Sequence, residues 1–367
     1  MATSFSKMMR DASLMAILTL SQLLDAGQSE FYIYDLGRRL QAIETSEFNA
    51  IEAQQAPYPF PLQGHAWLAI VFWSQAAEGA TEPFLWFLKF PLDERGLLDL
   101  QAQQGFITQV LTLLGNKVTG ALNEEQRQQL QQSPYLFTPA EEKRAALHAR
   151  LTKRLEQPPS VHYETAESAL AQPEAPQWQQ IGLQGLHDVA ARLHAGQRLS
   201  AQIADNFHSY PQPLQRALAI ALEHQSSPQP LTDALAKRVL SEAQPGEQRL
   251  NLLRSCASAS HTEAVRDAVA HCLGNPDQDE LVLIPARMWS ALQPGNEKVN
   301  LLELYMLRLA EYPAMQAERQ NNQLFAALTA DLLRLPAIRP HLLSLLRRHD
   351  LPLPLQRAWR QFTGVSS

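Results

Sequence analysis

Residues 84–95 read Phe-Leu-Trp-Phe-Leu-Lys-Phe-Pro-Leu-Asp-Glu-Arg, and they set the fold of the first part of the chain. Apart from Lys89, every residue from Phe84 to Phe90 is Phe, Leu or Trp, side chains that fit a pleated, half-buried surface. Pro91 has no N–H to give to a ladder and predicts the end of the strand. Asp93, Glu94 and Arg95 then follow in a turn. Upstream, His65–Ser74 (HAWLAIVFWS) is apolar almost throughout, which predicts a strand covered on both faces. The polar stretch Gln75–Pro83, with Gly79, closes the two strands into a hairpin.

A second hairpin precedes the first. Phe31-Tyr32-Ile33-Tyr34 is a strand, Asp35-Leu36-Gly37-Arg38 a turn in which Gly37 is free to take positive φ, and Arg39–Glu44 the return. Fourteen of the 27 aromatic residues lie in the first 100 positions, in keeping with strands there. Helices flank the hairpins. Ile17, Leu20 and Leu24 share a helical face ended by Gly27. Thr45 or Ser46 caps a helix to about Gln54. Leu97–Leu114 carries Phe106, Val110, Leu113 and Leu114 on one side and stops at Gly115. The alternating prolines of Pro57–Pro61 predict an extended segment lying over a surface.

The rest of the chain is helical. Asn123 caps a helix to Gln132, and Pro139 opens another to Glu156. Gln157–Pro176 contains Pro158, Pro159, Pro173 and Pro176 and is expected to be a linker. From Trp178 onward helices come in pairs, with stripes such as Leu214, Ala217, Leu218, Ala221, Leu222 and Val265, Ala268, Val269, Cys272, Leu273. Pairs begin near Trp178, Pro211, Pro245, Asp277 and Met315, between 32 and 38 residues apart. A steady period of helix pairs predicts a HEAT-like α-solenoid, the alternative being an irregular bundle. Pro285 is expected to kink or split its helix. The fold class is therefore an α+β domain over 1–120, a four-stranded antiparallel sheet of two hairpins with helices. Connecting helices and a Pro-rich linker fill 121–176, and an all-α helical-repeat domain fills 177–367.

Composition narrows function by exclusion. The 367 residues carry a formal charge of -6, which argues against nucleic acid or an anionic membrane as partner. No apolar run reaches the roughly 20 residues of a membrane helix. Lys7 and Arg10 before Leu14–Leu20 resemble a weak signal peptide. Asp11 interrupts that pattern and no small-x-small site follows, so a cytoplasmic location is expected. The chain has two cysteines. On antiparallel helices Cys256 and Cys272 would be offset by about 14 Å at the helical rise, beyond the roughly 7 Å a disulfide spans. No disulfide is expected, and both read as buried apolar thiols.

Nucleotide, metalloprotease and nucleophile-elbow motifs are absent from the sequence. His271 sits beside Cys272 but on another helix face, and His187 and His194 share a face without a third ligand, so no metal and no cofactor are expected. Candidate binding residues are Asp35, Arg38 and Arg39 at the first turn and Asp93, Glu94 and Arg95 after the fourth strand. These are an anion or peptide-terminus site if the arginines are open, and a structural lock if Asp93 or Glu94 bridges Arg38 or Arg39. His65 is a candidate acid–base group if it lies in a cleft beside a carboxylate. Arg339, Arg347, Arg348, Arg357 and Arg360, with Trp359 and Phe362, form either a capping helix or an acidic-partner surface.

The stretches 31–43 (FYIYDLGRRLQAI), 57–73 (PYPFPLQGHAWLAIVFW) and 86–98 (WFLKFPLDERGLL) together resemble a bacterial family known only as a domain of unknown function. The resemblance runs along most of the chain. It implies a bacterial cytoplasmic protein and no assigned activity, cofactor or partner. The function expected is a non-enzymatic adaptor or scaffold that binds a protein through the helical-repeat surface. The alternative is a small-molecule or anion-binding regulatory module in the N-terminal domain.

Overall fold

The computed structural model describes residues 17–75, 83–114, 123–173, 177–295, 299–315 and 323–364. Most of Lys7–Leu20, the loop with Gly79, Gly115 and the pair boundary after Met315 lie outside them. The chain divides into two compact units, Met1–Pro139 and Ala140–Ser367.

In the first unit, α1 (Leu20–Ala26) leads into β1 (Ser29–Asp35), β2 (Gln41–Ile43), α2 (Thr45–Glu52), β3 (His65–Ser74), β4 (Phe84–Pro91), α3 (Leu100–Leu114) and α4 (Glu124–Gln131). The sheet order is β2-β1-β3-β4, antiparallel throughout. Both expected hairpins form, and β1 pairing with β3 joins them. Register follows the apolar alternation: Ile33 faces Ile43 and Ile70, and Ile70 faces Trp86. A one-residue slip would turn every one of these side chains to the other face. This face packs with Leu20, Leu24, Phe48, Ile51 and Phe106 into one core. Trp86 sits 4.4 Å from Phe72 and 5.3 Å from Phe106, ring centre to ring centre.

Five successive residues of β3, Leu68–Phe72, are buried, so the second face is covered there too. Part of that cover is local. Tyr135–Phe137 runs beside β4, with Lys89 N–H donating to Tyr135 and Phe137 N–H donating to Phe87. Phe137 then rests edge-on against Trp67 at 4.9 Å, and Lys89 lies 4.3 Å over the Trp67 ring. Glu52 supplies an unforeseen tie. Its carboxylate accepts Leu20 N–H at 2.6 Å and Ser21 N–H at 3.2 Å, and so fills the open N-terminus of α1 from the end of α2.

The second unit contains α5 (Glu141–Arg154), α6 (Tyr163–Leu170), α7 (Leu183–Arg192), α8 (Arg198–Asn206), α9 (Gln212–Glu223), α10 (Gln229–Ser241), α11 (Glu247–Ser255), α12 (Glu263–Gly274), α13 (Gln278–Arg287), α14 (Leu301–Met315), α15 (Gln323–Arg334), α16 (Arg339–Leu346) and α17 (Leu353–Thr363). The stretch 157–176, expected as linker, holds α6, which packs on α7. Gly185 makes that approach possible: a Cβ there would stand 2.5 Å from the His162 carbonyl oxygen. Helices stack in two rows. One row runs α5, α7, α9, α11, α13, α15 and the other α6, α8, α10, α12, α14, α17, each helix touching the next in its row. Contacts also skip a pair, since α5 reaches α9 and Gln225 Nε2, just after α9, donates to the Ala146 carbonyl of α5 at 3.0 Å. Pro285 is accommodated inside α13, which ends two residues later at Arg287. Arg249 and Glu280 staple successive pairs with two contacts of 2.6 Å, both side chains fully buried.

Candidate functional site

The first charged turn is folded inward. Asp35 and Arg38 are fully buried and Arg39 nearly so. Asp35 Oδ2 accepts the N–H groups of Gly37 at 3.1 Å and Arg38 at 3.3 Å, closing the turn on itself. Arg38 Nε donates to the Pro61 carbonyl at 3.1 Å. The residue that completes this network is Tyr58, whose hydroxyl donates to Asp35 Oδ1 at 2.6 Å. Burial, and then the Asp35 charge, push the Tyr58 phenol well above its ordinary value, so it stays a donor. The Pro57–Pro61 segment has no regular secondary structure, with Pro57 exposed and Pro59 and Phe60 half-buried, but its prolines gave no sign that Tyr58 turns inward. Tyr58 is fully buried, because its ring has the sheet's core to fill and its hydroxyl has a carboxylate to meet.

The second charged turn is exposed, and Asp93 organises it. Asp93 Oδ1 accepts Arg95 N–H at 2.9 Å and Leu97 N–H at 2.8 Å, and Asp93 Oδ2 meets Arg95 Nε at 3.0 Å. These contacts, the Leu97 N–H foremost, hold the Asp93 carboxyl below its ordinary value. Glu94 stands exposed beside them. The two turns are joined through Tyr58, whose own N–H donates to the Gly96 carbonyl at 2.8 Å. One residue thus holds the buried turn with its side chain and the exposed turn with its backbone. His65 is half-buried, its Nδ1 within 2.8 Å of the Gln63 carbonyl and its ring near Trp67, with no carboxylate contact among the described residues.

The second unit carries the more open site. A groove of about 570 Å³ runs along the exposed side of α9, α11 and α13. Two helix faces line it: Glu247, Leu250, Asn251 and Arg254 on α11, and Asp279, Val282, Leu283 and Arg287 on α13, residues three, four, seven or eight apart. Beneath one end is Glu223, a carboxylate of α9 that is almost fully buried. Arg254 Nε approaches it at 3.0 Å and Arg287 Nε at 3.3 Å, while both arginine side chains remain about a quarter exposed. Buried His224 is 3.5 Å from the same carboxylate.

Neither Nε makes a directed hydrogen bond, and nothing described takes the terminal nitrogens of Arg254. Asn251, 2% exposed on the groove floor, has a side-chain Nδ2 without a partner. At the other end Glu247 and Asp279 are exposed and make no described contact, and Arg216 likewise. Acids in the first turn and arginines in the last also suit the helix dipoles, which accounts for their sign but not for a common groove.

The remaining candidates resolve simply. Cys256 and Cys272 are free and buried. Burial raises both thiols, Cys272 to about 12, so neither is a ready nucleophile. His187 and His194 do not share a helix: α7 ends at Arg192, and His194 turns to the Ala195 carbonyl. His187 is fully buried, with neither ring nitrogen hydrogen-bonded, and burial pushes it down to about 4. Among the described residues no group of His, Cys, Asp and Glu is arranged to hold a metal, and no helix is long and apolar enough to cross a membrane. At the C-terminal end Arg348 pairs with Asp350 and Glu303, and Trp359 stacks on Phe362 at 5.4 Å along a half-buried face of α17.

The groove has a signal in the sequence that no motif carries. Glu223, Arg254 and Arg287 are 31 and 33 residues apart, and Arg216, Glu247 and Asp279 are 31 and 32 apart. Charged residues recur at the pair period although no longer motif does.

A model of the family described as "Protein of unknown function (DUF3549)" matches residues 15–363, and the chain belongs to that family. No curated protein and no solved structure matches the chain significantly.

Proposed function

We propose that this protein is a non-enzymatic adaptor that binds a protein partner through its helical-repeat unit, along the groove of α9, α11 and α13. The observation that carries this is the pair of part-exposed arginines, Arg254 and Arg287, held over one buried carboxylate in a groove whose floor has an unspent amide donor. Holding Arg254 and Arg287 against Glu223 fixes them in advance and lowers the ordering cost when a partner arrives. Stacked helix pairs suit an extended partner, since their surface is long and rigid. The charged turns of the first unit support this role less well. Asp35 and Arg38 are sealed inside and engaged with Gly37, Tyr58 and Pro61.

A photo-crosslinking residue placed at Val282, 38% exposed in the groove, tests the proposal in native cells. The same residue at Val161, 91% exposed on the same unit but away from the groove, is the control. The expected result is a discrete adduct at 282 and none at 161. Equal, diffuse labelling at both positions contradicts the proposal.

A further inference from the structure

The groove's chemistry is specific enough to describe its occupant. We infer, building on the adaptor reading, that the groove takes a short extended protein segment with an acidic side chain at one end, an apolar one in the middle and a basic one at the other. Four features of the groove account for the three side chains and the main chain of that segment.

Arg254 and Arg287 together carry more positive charge than Glu223 neutralises, and with their Nε atoms turned to Glu223 the terminal nitrogens of Arg254 and Nη2 of Arg287, which have no described partner, point to a carboxylate taken in a fork. Asn251 Nδ2 is a buried donor without a partner on the groove floor. Leaving such a donor unmet is costly, and the carbonyl of an extended main chain is the acceptor that fits a floor between two helices. Val282, 38% exposed between the two ends, offers the apolar contact. Glu247 and Asp279 are exposed carboxylates without a described contact, and they complement a lysine or arginine.

The spacing is consistent with this. From Glu247 to Arg254, and from Asp279 to Arg287, the helices advance about 10–12 Å at 1.5 Å per residue. An extended chain rises about 3.3 Å per residue, so the acidic and basic side chains of the segment stand three to four residues apart. A nucleic acid is a poor occupant, because its phosphates would meet Glu247 and Asp279 at one end of the groove.

Panning a displayed library of random peptides on the full-length protein, with counter-selection on Val282→Glu, tests this. The expected winners depend on Val282 and carry Asp or Glu three to four residues from Lys or Arg, with an apolar residue between. Changing that acid to its amide in the winning peptide weakens binding about tenfold or more on the wild type. The double variant Arg254→Lys, Arg287→Lys keeps positive charge over Glu223 but loses the fork, and on it the preference for the acid falls away. Winners that depend on Val282 but have no acid overturn the present inference and leave the groove in use. Winners that ignore Val282, or no winners, overturn the groove itself, and with it both readings.

Discussion

Two charge clusters in this protein use the same residue types to opposite ends. Around Asp35 the charges are sealed. The carboxylate accepts from Gly37, Arg38 and Tyr58, and none of Asp35, Arg38 and Tyr58 retains any exposure. Around Glu223 only the carboxylate and His224 are sealed, while Arg254 and Arg287 keep about a quarter of their side-chain surface in a groove. A closed network has spent its hydrogen-bonding capacity on the fold, so its loss should be felt as stability. A half-open one retains donors for something else, so its loss should be felt as binding. The contrast teaches that a charged cluster is judged by what its donors still lack, rather than by how many charges it gathers.

The largest effect is expected from Asp35→Ala, which strands the Tyr58 hydroxyl and two backbone N–H groups in the core. Removing one partner of such a buried network costs about 3–5 kcal/mol, read by chemical denaturation. Partner binding in the second unit should not change so long as the chain folds.

Next comes acid. His187 is favoured neutral in the folded state, at about 4, against about 6.5 when unfolded. Its contribution is intact above pH 6.5 and is lost as the pH falls from 6.5 towards 4, to a limit of about 3 kcal/mol. His187→Leu should flatten that part of the stability–pH curve. A curve that keeps its slope in the variant assigns the effect elsewhere.

Gly185→Ala is expected to cost about 1–3 kcal/mol, because the new Cβ meets the His162 backbone, which cannot step aside. Gly105 is an instructive counterpart in the first unit, where the added Cβ meets only the Tyr135 ring. Gly105→Ala should cost less, since a side chain can give way where backbone cannot.

The smallest stability effect belongs to Asn251→Leu. Replacing an unpartnered buried amide by an apolar group of similar size should leave stability unchanged or raise it by up to about 1 kcal/mol. Binding should weaken in the same variant. A gain in stability alongside unimpaired binding would mean that the Asn251 donor serves no ligand.

Much of the fold was legible. The runs at His65–Ser74 and Phe84–Phe90 and the pattern Phe31–Tyr34 placed three strands, because strand composition and turn chemistry agree there. Asn123 is the helix cap its type suggests, and it makes a capping box with Gln126. The stripes Leu214–Leu222 and Val265–Leu273 fall inside α9 and α12. The site was less legible, for physical reasons. Tyr58 hid among prolines that signal an extended segment lying over a surface, and nothing local shows that its ring turns inward. His187 and His194 looked like neighbours on a helix that Leu193 in fact terminates. Arg254, Arg287 and Glu223 lie a pair period apart, so only the stacking of helices brings them within 3.3 Å.

The central claim is that the sealed cluster serves the fold and the half-open groove serves a partner. Paired variants measured for both properties test it most directly, by unfolding free energy and by stoichiometric partner capture from native cells. Tyr58→Phe removes one hydrogen bond to the buried Asp35 carboxylate and should lower stability by about 1.5–3 kcal/mol while capture is unchanged. Val282→Glu puts a charge at a surface position in the groove and should leave stability within about 0.5 kcal/mol while capture is lost. Full capture by Val282→Glu, or loss of capture by a folded Tyr58→Phe, contradicts the claim.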